Sequence, residues 1–545
     1  MLLTAALLST LLNGPGAVAS VDDSQSHGAV GDAHLSLDEA IRLANGTLAL
    51  AALSPQEQAR VAGGGPVTTI RVDAAVTPVI TVQSPLTDIL GQGMAVGRVC
   101  LEGVSQQGVR PVLDGGAASH VLGIKRHLVT VSGLRFEDAD VAVVAQMPMM
   151  MTTMSEMPMV MGCEFDGQAV HGVELLASGT DETMLMVTRC RFTNMPVGFR
   201  VDETTTNGRV MCTGEHLTFD GVGIGCDAFE GGDGMNSMFA LWRSTFVNGA
   251  RLGRSTRSPT SAKLFMFRIV YVDAVCSDHV IECVGQAAGN TMVHHHHGDW
   301  TAGPGKFALY THPRTAQFDI HGSEMTFHSD ISIAANTASA RVWHQNNHYD
   351  NCTITFDCDG ALPNLVWNRY DDCDIQVTAL ARSPVDIRMS ELVNTNCDSQ
   401  AFLAPLSLDG CYRSGGTLTG FSSENAAAPQ RMLSTTEVTP KEPLAGSALT
   451  LSSDVPAGSV LLWDIAMSEA RPNTSQEPVR FYGDPATVIV LPAIHIFQSS
   501  MTVPIPATPT LMNMEFYAQG VAIPFFGQSY LPPVYLPRGE RVTVR

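Results

Sequence analysis

Lysine is almost missing from this 545-residue chain: Lys125, Lys263, Lys306 and Lys441 are the only four. With 53 acidic residues against 32 Lys and Arg, the formal charge is −21. So acidic a surface repels nucleic acid and anionic lipid, and repels polyuronates unless calcium bridges the two. It serves equally for solubility in a salty medium, which requires no partner. Charged residues make up only 16% of the chain, too few for a coiled coil or a disordered polypeptide. No run of 18 apolar residues occurs, so no membrane-spanning helix is expected. Paired Cys-x-x-Cys spacing is missing as well, which argues against structural zinc among the 12 cysteines.

What is present suits short strands and many turns: 45% hydrophobic residues with 49 Gly and 30 Pro. The length exceeds one ordinary compact domain, a limit that an elongated repeat array escapes. At the N-terminus an apolar stretch, Leu2 to Leu12, precedes a Gly-Pro break and the small-residue run Ala17-Val18-Ala19. This pattern predicts a signal peptide over 1–19, cut after Ala19, and a secreted or cell-surface protein. Twelve free cysteines would be unusual there.

The informative signal is a repeat. Gly-Leu-Arg-Phe136, Gly-Cys-Glu-Phe165, Arg-Cys-Arg-Phe192, His-Leu-Thr-Phe219 and Arg-Ser-Thr-Phe246 align, the last four phenylalanines at intervals of 27. Tyr271, Trp300, Phe327 and Phe356 continue the series less regularly. Strand alternation turns Cys163 with Phe165, Cys190 with Phe192, and Leu217 with Phe219 inward, and Glu164, Arg191 and Thr218 outward. Gly167, Asn194, Gly221 and Asn248 follow as turn formers. The pattern predicts an all-β fold: a right-handed parallel β-helix solenoid over 126–424, its coils stacked at about 4.8 Å. Leucine-rich repeats and propeller blades do not fit the motif or the period. Cys163 and Cys190, at equivalent places in adjacent coils, form either a thiol ladder or an inter-coil disulfide.

A solenoid needs caps at its ends. Ser36 to Gly46 predicts a cap helix with Ser36 as N-cap, Glu39 in a capping box, and Leu37, Ala40, Ile41 and Ala44 facing inward. The segment Gly31 to Asn45 is similar to the CSLREA motif that opens many exported bacterial β-helix (pectin-lyase-like) proteins. Pro78 to Leu86 and Pro111-Val-Leu-Asp-Gly115-Gly116 resemble the strands and turn that follow it there. The Cys and Arg of the motif's name are replaced, with His34-Leu35 and Asp38 near those places. The resemblance covers about residues 20–120, within a cap and first coils expected over 20–125, and implies fold more than activity. Residues 425–443 read as a linker, and 444–545 as a C-terminal β-sandwich similar to a module recurrent in exported bacterial proteins, with a binding or assembly role.

Four features could carry chemistry. Met147 to Met161 holds eight methionines, a soft-ligand set for Cu(I), or simply adaptable apolar filling. His294, His295, His296 and His297 with Asp299 are expected in a turn before Trp300 and could bind Zn²⁺, Ni²⁺ or Cu²⁺, or form a plain polar loop. Asp227, Glu230 and Asp233 fall in a Gly-rich loop able to order around calcium as a cofactor. Asp371, Asp372 and Asp374 form a second acidic cluster. Either set could serve a glycosidase or a lyase, or be solvated turns. The Asn-Thr-Asp and Gly-His-Gly pair of polygalacturonases is missing, as is the Asp-Pro-His-Asp of alginate epimerases. Arg251, Arg254 and Arg257 do not match the pectate-lyase pattern. Two functions remain open. One is a binding or adhesion element for polysaccharide or cell-surface glycan. The other is a polysaccharide lyase or glycoside hydrolase, which a rod face with convergent carboxylates and a nearby Arg or Lys would favour.

Overall fold

A computed structural model describes residues 16–545 apart from 91–97, 148–156, 178–181, 204–207, 231–236, 258–264, 285–289, 312–316, 336–340, 361, 428–435, 441, 454–458, 467–487, 491–494, 497–499, 509–510, 512–513 and 525–539. The regular structure is nearly all β, and the chain divides into two compact units, Met1–Arg341 with Thr355–Ala361, and Val342–Ile354 with Leu362–Arg545.

One coil of the first unit shows the build. Strand Glu182–Thr188 ends at Arg189, whose φ of 54° turns the chain into the short strand Arg191–Thr193. Asn194, again at φ 54°, turns it into strand Val197–Glu203. The first two strands lie in a wide sheet and the third in a second sheet. Each pairs in parallel with its counterpart one coil on: Glu182 with Arg209, Phe192 with Phe219, Val197 with Ile224. This is the parallel β-helix that the repeat predicts.

The turn positions stack. Asp138, Gly167, Asn194, Gly221 and Asn248 all have positive φ, a region that Gly, Asn and Asp enter at least cost. The asparagines also tie coils together: Asn194 Nδ2 donates to Asp166 Oδ1 at 3.0 Å, and Asn248 Nδ2 to Asp220 Oδ1 at 2.8 Å.

Inside, Phe136, Phe165, Phe192 and Phe219 form a continuous stack. Their centroids are 5.2, 4.6 and 5.1 Å apart and their planes lie within 14°. Phe246 follows, tilted by 42°. Two expected members are displaced. Tyr271 occupies the earlier bend at φ 55°, and Ala274 takes the interior place between Phe246 and Trp300. Trp300 then pairs with Phe327 and satisfies its indole N–H on the Val272 carbonyl at 3.1 Å. Phe356 lies in Thr353–Cys358, a strand of the second sheet rather than the wide one.

In the second unit the coils shorten. Tyr349 pairs with Tyr370 and Tyr370 with Leu392, rungs 21 and 22 residues apart. The bends move with them, to Asn351, Asp372, Asn394 and Gly415. Tyr349 and Tyr370 stack at 4.8 Å.

The cap helix Leu37–Ala44 forms as predicted. Ser36 and Glu39 make the reciprocal capping box, and Leu37, Ala40, Ile41 and Ala44 are fully buried. The expected cut after Ala19 falls inside a strand, Ala17–Val21. That strand pairs in parallel with Val67–Asp73 and buries Ala17, Ala19 and Val21. All twelve cysteines are free thiols and eleven are buried, so Cys163 and Cys190 are neighbours in a thiol ladder, not a disulfide. The Cys163 backbone N–H donates to Cys190 Sγ at 3.3 Å.

The segment expected as a linker is strand at both ends. Ser422–Ala427 pairs with Leu406–Ser414 of the last coils, and Thr436–Thr439 opens the C-terminal module. There, two antiparallel sheets bring Val438, Leu449 and Leu451 against Trp463, Phe516, Ala518 and Val542 in one core. Trp367, turned at φ 61°, packs against that core from the coils of the same unit.

Candidate functional site

Strands of the second sheet alternate faces, so Phe199 and Val201 fill the interior while Arg200 and Asp202 point out. Parallel register repeats that choice at every coil. It places Glu174, Arg200, Asp227, Arg254, Glu282, Tyr310 and Ser332 on one outward row. Side chains one rung apart sit about 4.8 Å from each other, where like charges would repel strongly. Here the signs alternate from Glu174 to Glu282.

The centre of the row is a tight ionic group. Arg254 grips Asp227 with a two-pronged fork, Nε to Oδ1 and Nη2 to Oδ2, both at 2.8 Å. Arg200 Nη1 donates to Asp227 Oδ2 at 2.6 Å, and its guanidinium lies 5.7 Å from the Phe229 ring centroid. Burial alone would raise the Asp227 pKa, but the hydrogen bonds and charge of Arg254 and then Arg200 hold it below the usual carboxylate range. A carboxylate so fixed stays ionised and is a poor proton donor.

Toward the start of the row the balance reverses. Burial, then the nearby Asp202 carboxylate, raises the Glu174 pKa, with Arg200 opposing. Burial, then Arg200, lowers that of His171, whose Nδ1 lies 3.7 Å from Glu174 Oε1. Toward the far end, Arg251 pairs with Asp278 and with Glu282, the latter at 3.2 Å, and Lys306 Nζ reaches Asp278 Oδ1 at 3.3 Å. His279 lies among these groups, its Nδ1 accepting from the Phe307 backbone N–H at 3.0 Å, and burial lowers its pKa.

Of the candidate carboxylates and histidines singled out from sequence, Asp227 alone joins this row, beside Arg254. It lies in strand Ile224–Glu230 rather than in a loop, because its neighbours Cys226 and Ala228 are interior residues. Glu230 ends that strand, and its side chain, like the whole of Asp233, lies outside the described residues.

Asp371, Asp372 and Asp374 do not converge. Asp371 takes hydrogen bonds from His348 Nε2 at 2.8 Å and Arg369 Nε at 2.7 Å, and these hold its pKa down against burial. Asp372 sits at the bend and Asp374 on the next strand, accepting from Asn394 at 3.1 Å and Asn396 at 2.7 Å. Each is engaged by a different residue of a neighbouring coil.

The histidine run is strand, not turn: His294 to His297 lie within Asn290–Thr301. His295 and His297 are buried, while His294 and His296 are half-buried on the opposite face. His295 packs against Trp300 at 5.1 Å and occupies the space opposite Gly322, where any Cβ would collide with its ring. His297 stacks on Tyr271 at 4.5 Å. Asp299 takes a backbone position on the outward side, its N–H donating to Asp273 Oδ1 at 3.2 Å. Met149, Met150, Met151 and Met154 lie outside the described residues; Met147 is fully buried and Met159 and Met161 alternate with buried Val160. Among the described residues no three His, Cys, Asp or Glu side chains are grouped to hold a metal ion, and no helix is long and apolar enough to cross a membrane.

The rest of the row escaped sequence reading, although a signal existed. Arg200, Asp227 and Arg254 are 27 residues apart, the same interval as the phenylalanines. No family model, curated protein or solved structure matches the chain.

Proposed function

We propose that this protein is an exported, extracellular or cell-surface element that binds glycans along the outward face of the second sheet, with the C-terminal sandwich as an accessory module. The observation that carries this reading is the row from Glu174 to Tyr310: a polar side chain at every rung of one sheet, the charges alternating in sign from Glu174 to Glu282, with Asp227 and Glu282 buried and the others half-buried. The rung spacing, about 4.8 Å, is close to the length of one pyranose residue along an extended chain. Successive sugars therefore meet polar groups of alternating sign. The charges of the row largely neutralise one another, which suits an uncharged polysaccharide better than a polyanion. Asp227 is already engaged by two guanidinium groups, so binding needs no calcium.

The test is affinity electrophoresis through gels holding a panel of neutral and acidic polysaccharides, with calcium or with chelator. The expected result is retardation by a neutral polysaccharide, equal in both conditions and weakened by Arg254→Ala. Unaltered mobility in every gel would overturn the reading.

A carbohydrate-active enzyme is the second reading, and one observation favours it. Glu174, with its pKa raised, and His171, with its pKa lowered, face each other at 3.7 Å beside Arg200 and Asp202. Environments that drive two titratable groups toward each other suit proton transfer. Turnover of a polysaccharide that Glu174→Gln abolishes would establish this reading over binding alone.

A further inference from the structure

The wide sheet carries an outward row made of a single residue type. Met184, Met211, Met238, Met266 and Met292 pair rung to rung on five successive coils. Leu185, Cys212, Phe239, Phe267 and Val293, each one residue further along its strand, are interior, so alternation turns the methionines outward. Met184 is buried on that face, while Met211, Met238, Met266 and Met292 keep part of their surface in solvent. Met186, two residues beyond Met184 on the same face, pairs with Met159 of the methionine-rich run, and both are half-buried.

Packing alone does not call for this row. Outward positions of a sheet favour β-branched residues, whereas a Met side chain loses more rotamer freedom when it is ordered. Methionine makes up 25 of 545 residues, too few for five consecutive rungs to follow from composition. What the row supplies is a line of thioethers. Its rungs lie about 4.8 Å apart. At a metal–sulfur bond of about 2.3 Å, one ion holds two sulfurs at most about 4.6 Å apart. The flexible Met side chain closes that small difference. Thioether sulfur is a soft ligand that takes Cu(I), while Ca²⁺ and Mg²⁺ demand oxygen. Two charged side chains flanking the row are held by their own neighbours: Arg209 pairs with Glu182 at 2.9 Å, and Arg268 lies over the Trp242 ring at 4.9 Å. The formal charge of −21 favours any cation near the surface.

We propose that Met211, Met238, Met266 and Met292 bind Cu(I), adjacent thioethers of the ladder sharing an ion. The site stands on the wide sheet, whereas the row from Glu174 to Tyr310 stands on the second, so it does not rest on the glycan-binding reading.

Competition with the chromophoric chelator bicinchoninate, under ascorbate and without oxygen, measures how many Cu(I) ions the full chain withdraws. The comparison is a triple variant, Met211→Leu with Met238→Leu and Met266→Leu, which exchanges sulfur for carbon at nearly constant volume. The wild type should withdraw at least one Cu(I) per chain more than the triple variant, since the cysteine thiols are the same in both. Met147→Leu, at a fully buried position outside the row, should withdraw as much as the wild type. Where circular dichroism shows the triple variant unfolded, Met238→Leu alone takes its place and should withdraw less than the wild type. Equal uptake by the wild type and the ladder variant, or a loss as large in Met147→Leu, would overturn the proposal.

Discussion

Replacing Phe192 by Ala removes the centre of the interior stack, and its cost can be worked from the structure. The ring is fully buried, with Phe165 at 4.6 Å on one side, Phe219 at 5.1 Å on the other and Phe199 tilted against it at 4.9 Å. Loss of a buried Phe side chain with the cavity it leaves costs about 3–5 kcal/mol. Collapse of the site is resisted on both sides, because the neighbouring coils are held in register by continuous parallel ladders. Two parallel stacking contacts vanish as well, each worth about 0.5–1.5 kcal/mol beyond area. The upper part of the range is therefore expected, about 4–5 kcal/mol. Phe192→Leu, which keeps most of the volume, should cost about 1–2 kcal/mol. Phe402, with 74% of its surface exposed, is the control, and its change to Ala should stay within about 0.5 kcal/mol. Urea unfolding followed by circular dichroism and by tryptophan fluorescence reads all three. In a solenoid the loss propagates to adjoining coils, so the midpoint shifts without a separate early phase. A cost below about 1 kcal/mol for Phe192→Ala would refute the interior ladder, since a ring packed on three sides cannot be removed so cheaply.

Three further outcomes follow from named groups. Asp227→Asn should destabilise the first unit by about 1–3 kcal/mol in urea unfolding, because Arg200 and Arg254 lose the charge that pairs them. The Asp227 pKa is depressed on folding, so its contribution should be present above the unfolded-chain value of about 4 and fade as pH falls below it. The pH dependence of the asparagine variant should be correspondingly flatter in acid, and parallel profiles would contradict the ion pair. A chain starting at Ser20 should melt well below one starting before Ala17, as it loses two buried residues and part of a parallel ladder. Equal melting temperatures would show that the strand Ala17–Val21 adds nothing. For the thiols, burial pushes Cys276 and Cys397 up to about 12 and Cys411 to about 11. Native protein should react with a thiol reagent at Cys100 at most, and protein denatured without reductant at all twelve. Fewer than twelve after denaturation would reveal disulfides.

The interior of the first unit was legible because one large residue type marks one position per coil. Phe165, Phe192 and Phe219 announce the period, and Gly167, Asn194 and Gly221 announce the bend. The same reliance on aromatics misplaces Tyr271, since Ala274 fills the interior position in that coil and gives no signal. It also hides the shortening of the coils in the second unit, where the ladder passes from Tyr370 to Leu392. The histidine run misleads for another reason. Four polar residues read as a turn, yet a coil can bury alternate members wherever the next rung lacks a side chain, as Gly322 does opposite His295. The candidate site was harder still. Its members stand one per coil, scattered over more than 130 residues and far apart in sequence, and only the parallel register makes them a row. Asp227 looked like one of three acidic neighbours, when its partners are Arg200 and Arg254, a full coil away on either side.

The central claim, that the outward face of the second sheet is where this protein meets its ligand, is tested most directly by a crystal structure with a bound neutral glucan hexasaccharide. The account predicts sugar density along the row from Glu174 to Tyr310. Density confined to the wide sheet or to the C-terminal sandwich would contradict it.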